Sequence, residues 1–295
     1  MDNNPIVCDY GSGVSKVGFG GMESPMVVFP TVLGKLRHDK VLVGMDEKTW
    51  FLGTEAQNNR KQLNLQSPLC RAVITDWDRT TIESGEGMTY FVPVFDGCPV
   101  HQSTLQLDIA GQDLTLYFLQ LLTESDQVCV QDIKERCCYV ALDFEKELAK
   151  ASLPSFKQTF QLLDGQEIEL GKERFMCPEA LFNPSLIGKN TLGIHMVASQ
   201  SVASCKLDFW KTLYSNILLS GGTGSCFGLR FRLQKEISDV VSPLLKVKVS
   251  SCPYSIYSSW VGGSILCSLP TFKDMWITRD EYMGTGSSII SRRSF

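Results

Sequence analysis

The sequence predicts an α/β protein of two facing, duplicated halves that close on one shared cleft. Three stretches carry that expectation. Residues 6–19 read as an apolar strand ending on Asp9, a turn at Gly11-Ser12-Gly13, and a returning strand through Val14, Lys16 and Gly18. Glu83-Ser84-Gly85-Glu86-Gly87-Met88 repeats that layout, an acid followed by glycines alternating with polar residues, ahead of a strand marked by Tyr90, Val92 and Val94. Internal similarity of this kind points to a repeated structural unit. Asn216-Ile217-Leu218-Leu219-Ser220 then runs as a buried strand into Gly221-Gly222-Thr223-Gly224-Ser225, with a helix expected over residues 227–237.

The chemistry of these stretches is that of an anion clamp. Glycines at a turn adopt positive φ and bring bare backbone N–H groups close to a phosphate. Lys16 adds a point charge, and Asp9 at a strand end suits a hydrated divalent cation. Taken alone, residues 6–19 also fit an ordinary hairpin with a glycine turn. The second copy makes two opposed hairpins pinching a polyphosphate the more specific reading. The strand, glycine loop and helix at 216–237 form the arrangement that presents helix N–H groups to a phosphate or nucleoside.

Between and beyond the hairpins the elements follow in order. Residues 26–30 read as a short strand closed by proline, 41–43 as another, and 50–53 as a third, with a helix opening at Thr54. The strand-rich insert spans residues 31–67. Residues 73–78 look like a strand end entering a helix that Thr75 or Asp78 would cap, yet no helix body follows before Glu83. Leu114, Tyr117, Phe118, Leu121 and Leu122 fall at helical spacing, as do Val130, Ile133, Cys137, Val140, Ala141, Phe144 and Leu148, read as one further helix. Asp164-Gly165 marks a hairpin turn. Pro178 is expected to start a short helix. Residues 245–249 alternate as a surface strand, 260–269 and 272–276 read as closing helices, and Arg292-Arg293 leave a basic tail.

Composition narrows the function. At 295 residues the chain has room for two domains or one large cleft-bearing unit. A net charge of −4 gives no basic field for nucleic acid or anionic lipid. No apolar run reaches a membrane span and the N-terminus lacks a signal-peptide layout, so a soluble intracellular protein is expected. The 11 cysteines are scattered without a Cys-x-x-Cys pair, which argues for reduced thiols rather than zinc. His38, His101 and His195 lie near no hydrolase or metalloprotease motif and read as structural.

The residues also resemble a known family. Asp9-Tyr10-Gly11-Ser12-Gly13, Arg37-His38, Val43-Gly44-Met45, the run 53–57 and Val73-Ile74-Thr75-Asp76-Trp77-Asp78 are similar to actin, as are residues 132–145, 177–182, 219–223, 260–266 and the ending from Met275. The similarity runs in order along nearly the whole chain. It implies an actin-like, ribonuclease H-like fold: a first lobe at 1–82 completed by 258–295, and a second lobe at 83–257 carrying a helical insert at 110–189. It also implies ATP with Mg2+ in the cleft. By position, the phosphate loops are Gly11, Ser12, Gly13, Val14 and Lys16, and Gly85, Glu86, Gly87 and Met88. The adenine and ribose side is Lys134, Glu135, Gly222, Thr223, Ser225 and Cys226. Asp9 and Glu83 face the cation.

The departures from the family shape the functional expectation. Between Asp78 and Glu83 the family carries a long segment with two strands, three helices, the hinge and the glutamine that positions the attacking water. Here it is absent, so the first lobe is expected to be truncated. Tyr90 replaces the histidine that helps arrange the water, Glu83 replaces an aspartate, Cys226 an aromatic, Ile256 a lysine and Tyr10 an asparagine. The loop between Thr123 and Val130 is shorter. The resemblance therefore implies a cytoskeletal or scaffold protein that binds actin or actin-binding proteins, with a weakened ATP site, hydrolysis lost and self-polymerisation not expected. Cytoplasm and cytoskeleton follow as location. The alternatives are an active Mg-dependent ATPase of this fold and an actin-related subunit of a nuclear chromatin complex.

Overall fold

The computed structural model describes residues 5–36, 50–59, 63–66, 80–96, 98–122, 127–161, 167–251 and 255–293. The strands expected at 41–43 and 73–78, with Arg37, His38 and Cys70, lie outside those residues. The chain opens with β1 (Ile6–Tyr10), β2 (Val14–Phe19) and β3 (Val27–Pro30), an antiparallel sheet ordered β1-β2-β3. A second small sheet has β4 (Leu33–Leu36) between β5 (Trp50–Leu52) and β6 (Leu63–Gln66). The short helix α1 (Gly53–Asn58) buries Ala56 in a cluster with Phe51 and Leu63.

The larger sheet starts with β7 (Thr80–Ser84), β8 (Thr89–Phe95), β9 (Cys98–Pro99) and β10 (Leu105–Leu107). Helices α2 (Gly111–Leu122), α3 (Gln127–Cys137) and α4 (Phe144–Ala151) follow. Strands β11 (Gln158–Gln161) and β12 (Glu167–Leu170) pair antiparallel; the turn expected at Asp164-Gly165 lies outside the described residues. Helices α5 (Glu173–Glu179), α6 (Ile194–Ala203) and α7 (Leu207–Ser215) lead to β13 (Ile217–Ser220), α8 (Leu229–Val240) and β14 (Val249–Ser251). The chain closes with α9 (Ser258–Ser268), α10 (Arg279–Thr285) and α11 (Ser288–Arg293).

Strand order in the large sheet is β10-β8-β7-β13-β14, with β13 parallel to both β7 and β14. The main core sits on this sheet: Ile82, Phe91 and Leu219 are fully buried with Leu229, Leu233 and Ile237, one stripe of α8. Glu83 and Ser220 lie side by side where the parallel strands end. That is the edge at which open α/β sheets place ligands.

Several local expectations are corrected by long-range contacts. Residues 130–148 form two helices, not one. The amides of Tyr139 and Val140 leave the helical ladder and donate to the carbonyls of Arg174 (3.1 Å) and Phe227 (2.8 Å), and Asp143 caps a fresh start by accepting from the Lys146 amide. Pro178 does not start its helix but sits in the last turn of α5, which begins at Glu173. A proline there leaves the carbonyl four residues back without a donor. That carbonyl belongs to Arg174, and the Tyr139 amide supplies the bond. One contact thus explains both corrections.

Residues 245–249 do alternate, with Val247 and Val249 buried, but ladder pairing begins only at Val249. Residues 270–275 are a 3₁₀ turn rather than a helix. The expected basic tail instead holds α10 and α11, the former started by a capping box between Thr278 and Glu281.

Helix α9 bridges the two main sheets. Trp260 is fully buried, and its indole donates to the Val7 carbonyl of β1 at 3.0 Å. The Ser264 hydroxyl accepts from the Gly21 amide and donates to the Met22 carbonyl. Gly18 on β2 is needed for this fit, since a Cβ there would lie 2.6 Å from the Trp260 ring. Among the described residues, no helix is long and apolar enough to cross a membrane.

Candidate functional site

The two acid-glycine hairpins share one ladder plan. In the first, Asp9 pairs across the ladder with Lys16, and the Gly11 amide closes the turn on the Val14 carbonyl at 3.2 Å. In the second, Glu83 pairs with Tyr90, and the Gly85 amide closes on the Met88 carbonyl at 3.3 Å. Each turn bond starts two residues after its acid. The tips meet: a Cβ on Gly13 would stand 3.0 Å from the Cβ of Glu86. The first turn therefore meets the second at Gly13 and Glu86.

The third glycine loop closes the gap from the side of β13. Gly222, Thr223, Ser225 and Cys226 fall in and around a 3₁₀ turn at Thr223–Ser225. The Thr223 hydroxyl donates to the Gly85 carbonyl at 2.8 Å, so this loop is tied to the second hairpin. Gly221 reaches φ +87° and packs so close to Ser84 that a Cβ would strike its carbonyl oxygen at 2.3 Å. No other residue type fits there.

Charge at the centre is largely paired. The Lys16 ammonium lies 2.8 Å from an Asp9 carboxylate oxygen, and both side chains are nearly buried. Glu83 accepts a hydrogen bond from the Ser259 hydroxyl of α9 at 3.2 Å. Burial is the main reason its carboxyl is pushed up to about 7; the Asp9 charge adds to that, while Ser259 and Lys16 oppose it. Glu86 is likewise raised, first by burial, with Lys134 pulling the other way and Glu135 and Asp113 pushing up.

The nucleoside-side residues are only partly assembled. Lys134 is buried and donates to the Gly111 carbonyl (2.9 Å) and the Thr115 hydroxyl (2.8 Å), so its ammonium is engaged within the protein. Glu135 lies on the exposed side of α3, held by Gln131. The Cys226 thiol is pushed up to about 12, chiefly by burial and then by Cys177, and is no nucleophile at neutral pH. A Cβ at Gly85 or Gly222 would meet nothing within 4 Å, although the Gly85 amide and carbonyl are both bonded within the protein.

Two residues central to this geometry carry no signal in the sequence motifs. Gly111, the first residue of α2, is where the loops converge: a Cβ there would lie 2.7 Å from Glu86 Oε2 and 2.9 Å from Thr223 Oγ1. Ser259 binds Glu83 from 176 residues away. Both are placed by contacts with elements distant in sequence, which no local motif announces.

A duplicated acid-glycine hairpin, a glycine loop after a parallel strand and a bridging C-terminal helix define an actin-like α/β fold. The family model described as Actin matches residues 1–82, 80–129 and 123–295. The chain belongs to the actin family. The matched segments part at 80–82 and 123–129, the two places where the resemblance implies missing or shortened chain.

Proposed function

We propose that this actin-family chain is a scaffold that binds actin or actin-associated partners and holds Mg-ATP weakly without hydrolysing it. The observation that carries the reading is the pairing of the two hairpins: a preserved polyphosphate clamp whose acids are already occupied. The donor set fits a phosphate–cation unit, with turn backbone at Gly13 and Gly87, a lysine, and two carboxylates at strand ends. It fits adenine less well, since Lys134 is engaged and Cys226 offers no ring for stacking.

When bound, Mg2+ would supply charge to neutralise the phosphates. Asp9 and Glu83 would hold its water shell, and Lys16 would be shared between Asp9 and the phosphate. Glu83 must give up a proton to do so, because its carboxyl titrates near 7. The position across the ladder from Glu83 is Tyr90, where the resemblance implies a histidine. Without that histidine and the water-positioning glutamine that the resemblance places in the missing segment, transfer to water is expected to lose several powers of ten in rate.

A thermal-shift titration with Mg-ATP tests this. Binding to the folded chain alone raises Tm by mass action. A shift is expected at millimolar nucleotide, larger at pH 8 than at pH 6 because Glu83 is then ionised. The absence of a shift at both pH values removes the nucleotide from the account and leaves a scaffold alone.

A further inference from the structure

The two hairpins are twins in plan but not in surroundings. Counting from the acids, Ile6, Cys8 and Tyr10 on β1 occupy the positions of Thr80, Ile82 and Ser84 on β7. The β7 residues are each 0% exposed, whereas Ile6 is 64% and Tyr10 52% exposed, and Cys8 is exposed as well. Across the ladders, Val17 pairs with Cys8 as Phe91 pairs with Ile82; Phe91 is fully buried and Val17 is not. Phe19 and Val27 continue the exposed β1–β2–β3 face. It carries no charged side chain.

The edge of β1 is open as well. The bonds from the Gly20 amide to Pro5 and from the Gly11 amide to Val14 fix which β1 residues face β2. By the alternation of an antiparallel ladder, the N–H and C=O groups of Ile6, Cys8 and Tyr10 then point away from it. No further strand among the described residues pairs there. On β7 the equivalent edge is taken by β13 in parallel, Ile217 to Ser220 against Thr80 to Glu83, and α8 follows β13 with an apolar stripe in the core. In the twin sheet β13 takes the edge, α6 and α7 pack on β8, and α8 packs on β14 and α6.

We infer that β1 and its exposed face are a docking site for a partner protein that adds an apolar β-strand parallel to Ile6–Asp9, followed by a helix with an apolar stripe. This rests on the scaffold half of the proposed function and is independent of nucleotide. Ile6, Tyr10, Phe19 and Val27 leave on the order of 400 Å² of apolar surface to water, by the area such side chains bury. That is about half of one partner's share of a standard interface. Pairing along the strand edge supplies the rest, as in other strand-addition complexes.

The probe is a synthetic peptide of residues 216–240, the segment that covers the twin sheet, added to the full chain. Amide exchange is read residue by residue over Ile6–Tyr10. The Ile6, Cys8 and Tyr10 amides are expected to exchange fast in the chain alone and to slow by about tenfold or more with peptide. Val7 and Asp9, already in the ladder, stay slow throughout. The protection is expected to vanish when Leu218 and Leu219 of the peptide are replaced by lysine, or when the chain carries Ile6→Lys, an exposed position. Three results overturn the inference: fast exchange unchanged at millimolar peptide, protection already present in the chain alone, or protection that rises with chain concentration without peptide. The last makes a second copy the occupant. A Tm shift with Mg-ATP alongside any of these leaves the cleft reading intact.

Discussion

Glu83 couples the cleft to folding. Its carboxyl titrates near 7 in the folded chain against 4.5 for the free group, mainly because burial disfavours the charge. The folded state therefore binds the proton more tightly between those values. The stability this contributes is full below about pH 4.5 and is lost as pH rises through 7. A gap of about 2.5 pH units at about 1.4 kcal/mol each corresponds to about 3 kcal/mol. Glu83→Gln keeps an acceptor for Ser259 and cannot ionise. Its stability relative to the parent is expected to rise by up to about 3 kcal/mol from pH 5 to pH 8, measured by urea unfolding at both. A difference that does not change with pH contradicts this assignment.

Beside it, the hydroxyls of Thr80 and Thr81 are buried with no hydrogen-bond partner. An orphaned buried hydroxyl costs about 1–3 kcal/mol. Thr81→Val, of nearly the same shape, is expected to stabilise the chain by about 1 kcal/mol, and a loss of similar size in urea unfolding would show that the hydroxyl is satisfied. At this scale the sequence was legible for the acids and glycines, whose chemistry is local. It was silent on Ser259, because nothing near Ser259 in the chain announces a carboxylate 176 residues away.

Among the elements, α9 holds the N-terminal sheet. Trp260 fills the space that Gly18 leaves, Ser264 ties the turn after β2, and Ser259 reaches Glu83 in the other sheet. Truncating a buried tryptophan typically costs 3–5 kcal/mol, here about that range. Trp260→Ala is expected to make residues 5–36 the first to be cut in limited proteolysis while 80–251 stays resistant. Loss of both regions together would show that they unfold as one unit. The break between α3 and α4 shows where reading by periodicity stops. Val130 to Leu148 keeps helical spacing throughout, and only the carbonyls of Arg174 and Phe227, supplied by distant elements, draw the chain out of the helix. The capping box at Thr278 starts α10, an element that apolar periodicity passed over.

The buried pair of Arg232 and Glu179 makes the same point about distant partners. The guanidinium of α8 meets the α5 carboxylate through two bonds at 3.0 and 3.1 Å, and a third bond at 2.6 Å reaches Glu236. Arg232→Met leaves the Glu179 charge buried and unmatched, which costs about 3–5 kcal/mol. The loss is read from urea midpoints at pH 7. A change under 1 kcal/mol, by the about 0–1 kcal/mol typical of surface pairs, would place the pair in water instead.

At the scale of the whole molecule, duplication organises the fold and its unevenness shapes the function. The second hairpin is embedded in a sheet of parallel and antiparallel strands under a continuous core. The first stands in a three-stranded sheet with one face open. The repeat was legible from its acids and glycines. The parallel entry of β13 beside β7 was not, because strand order is set by core packing rather than by local pattern. A clamp whose halves are supported so differently is suited to holding a ligand and presenting a surface.

The most direct measurement follows the nucleotide itself. The chain is held with millimolar ATP and Mg2+ at pH 8 for several hours and then denatured, and the nucleotide in the mixture is separated by chromatography. The account predicts that intact ATP is recovered. ADP formed at a steady rate that disappears in Asp9→Ala would contradict it.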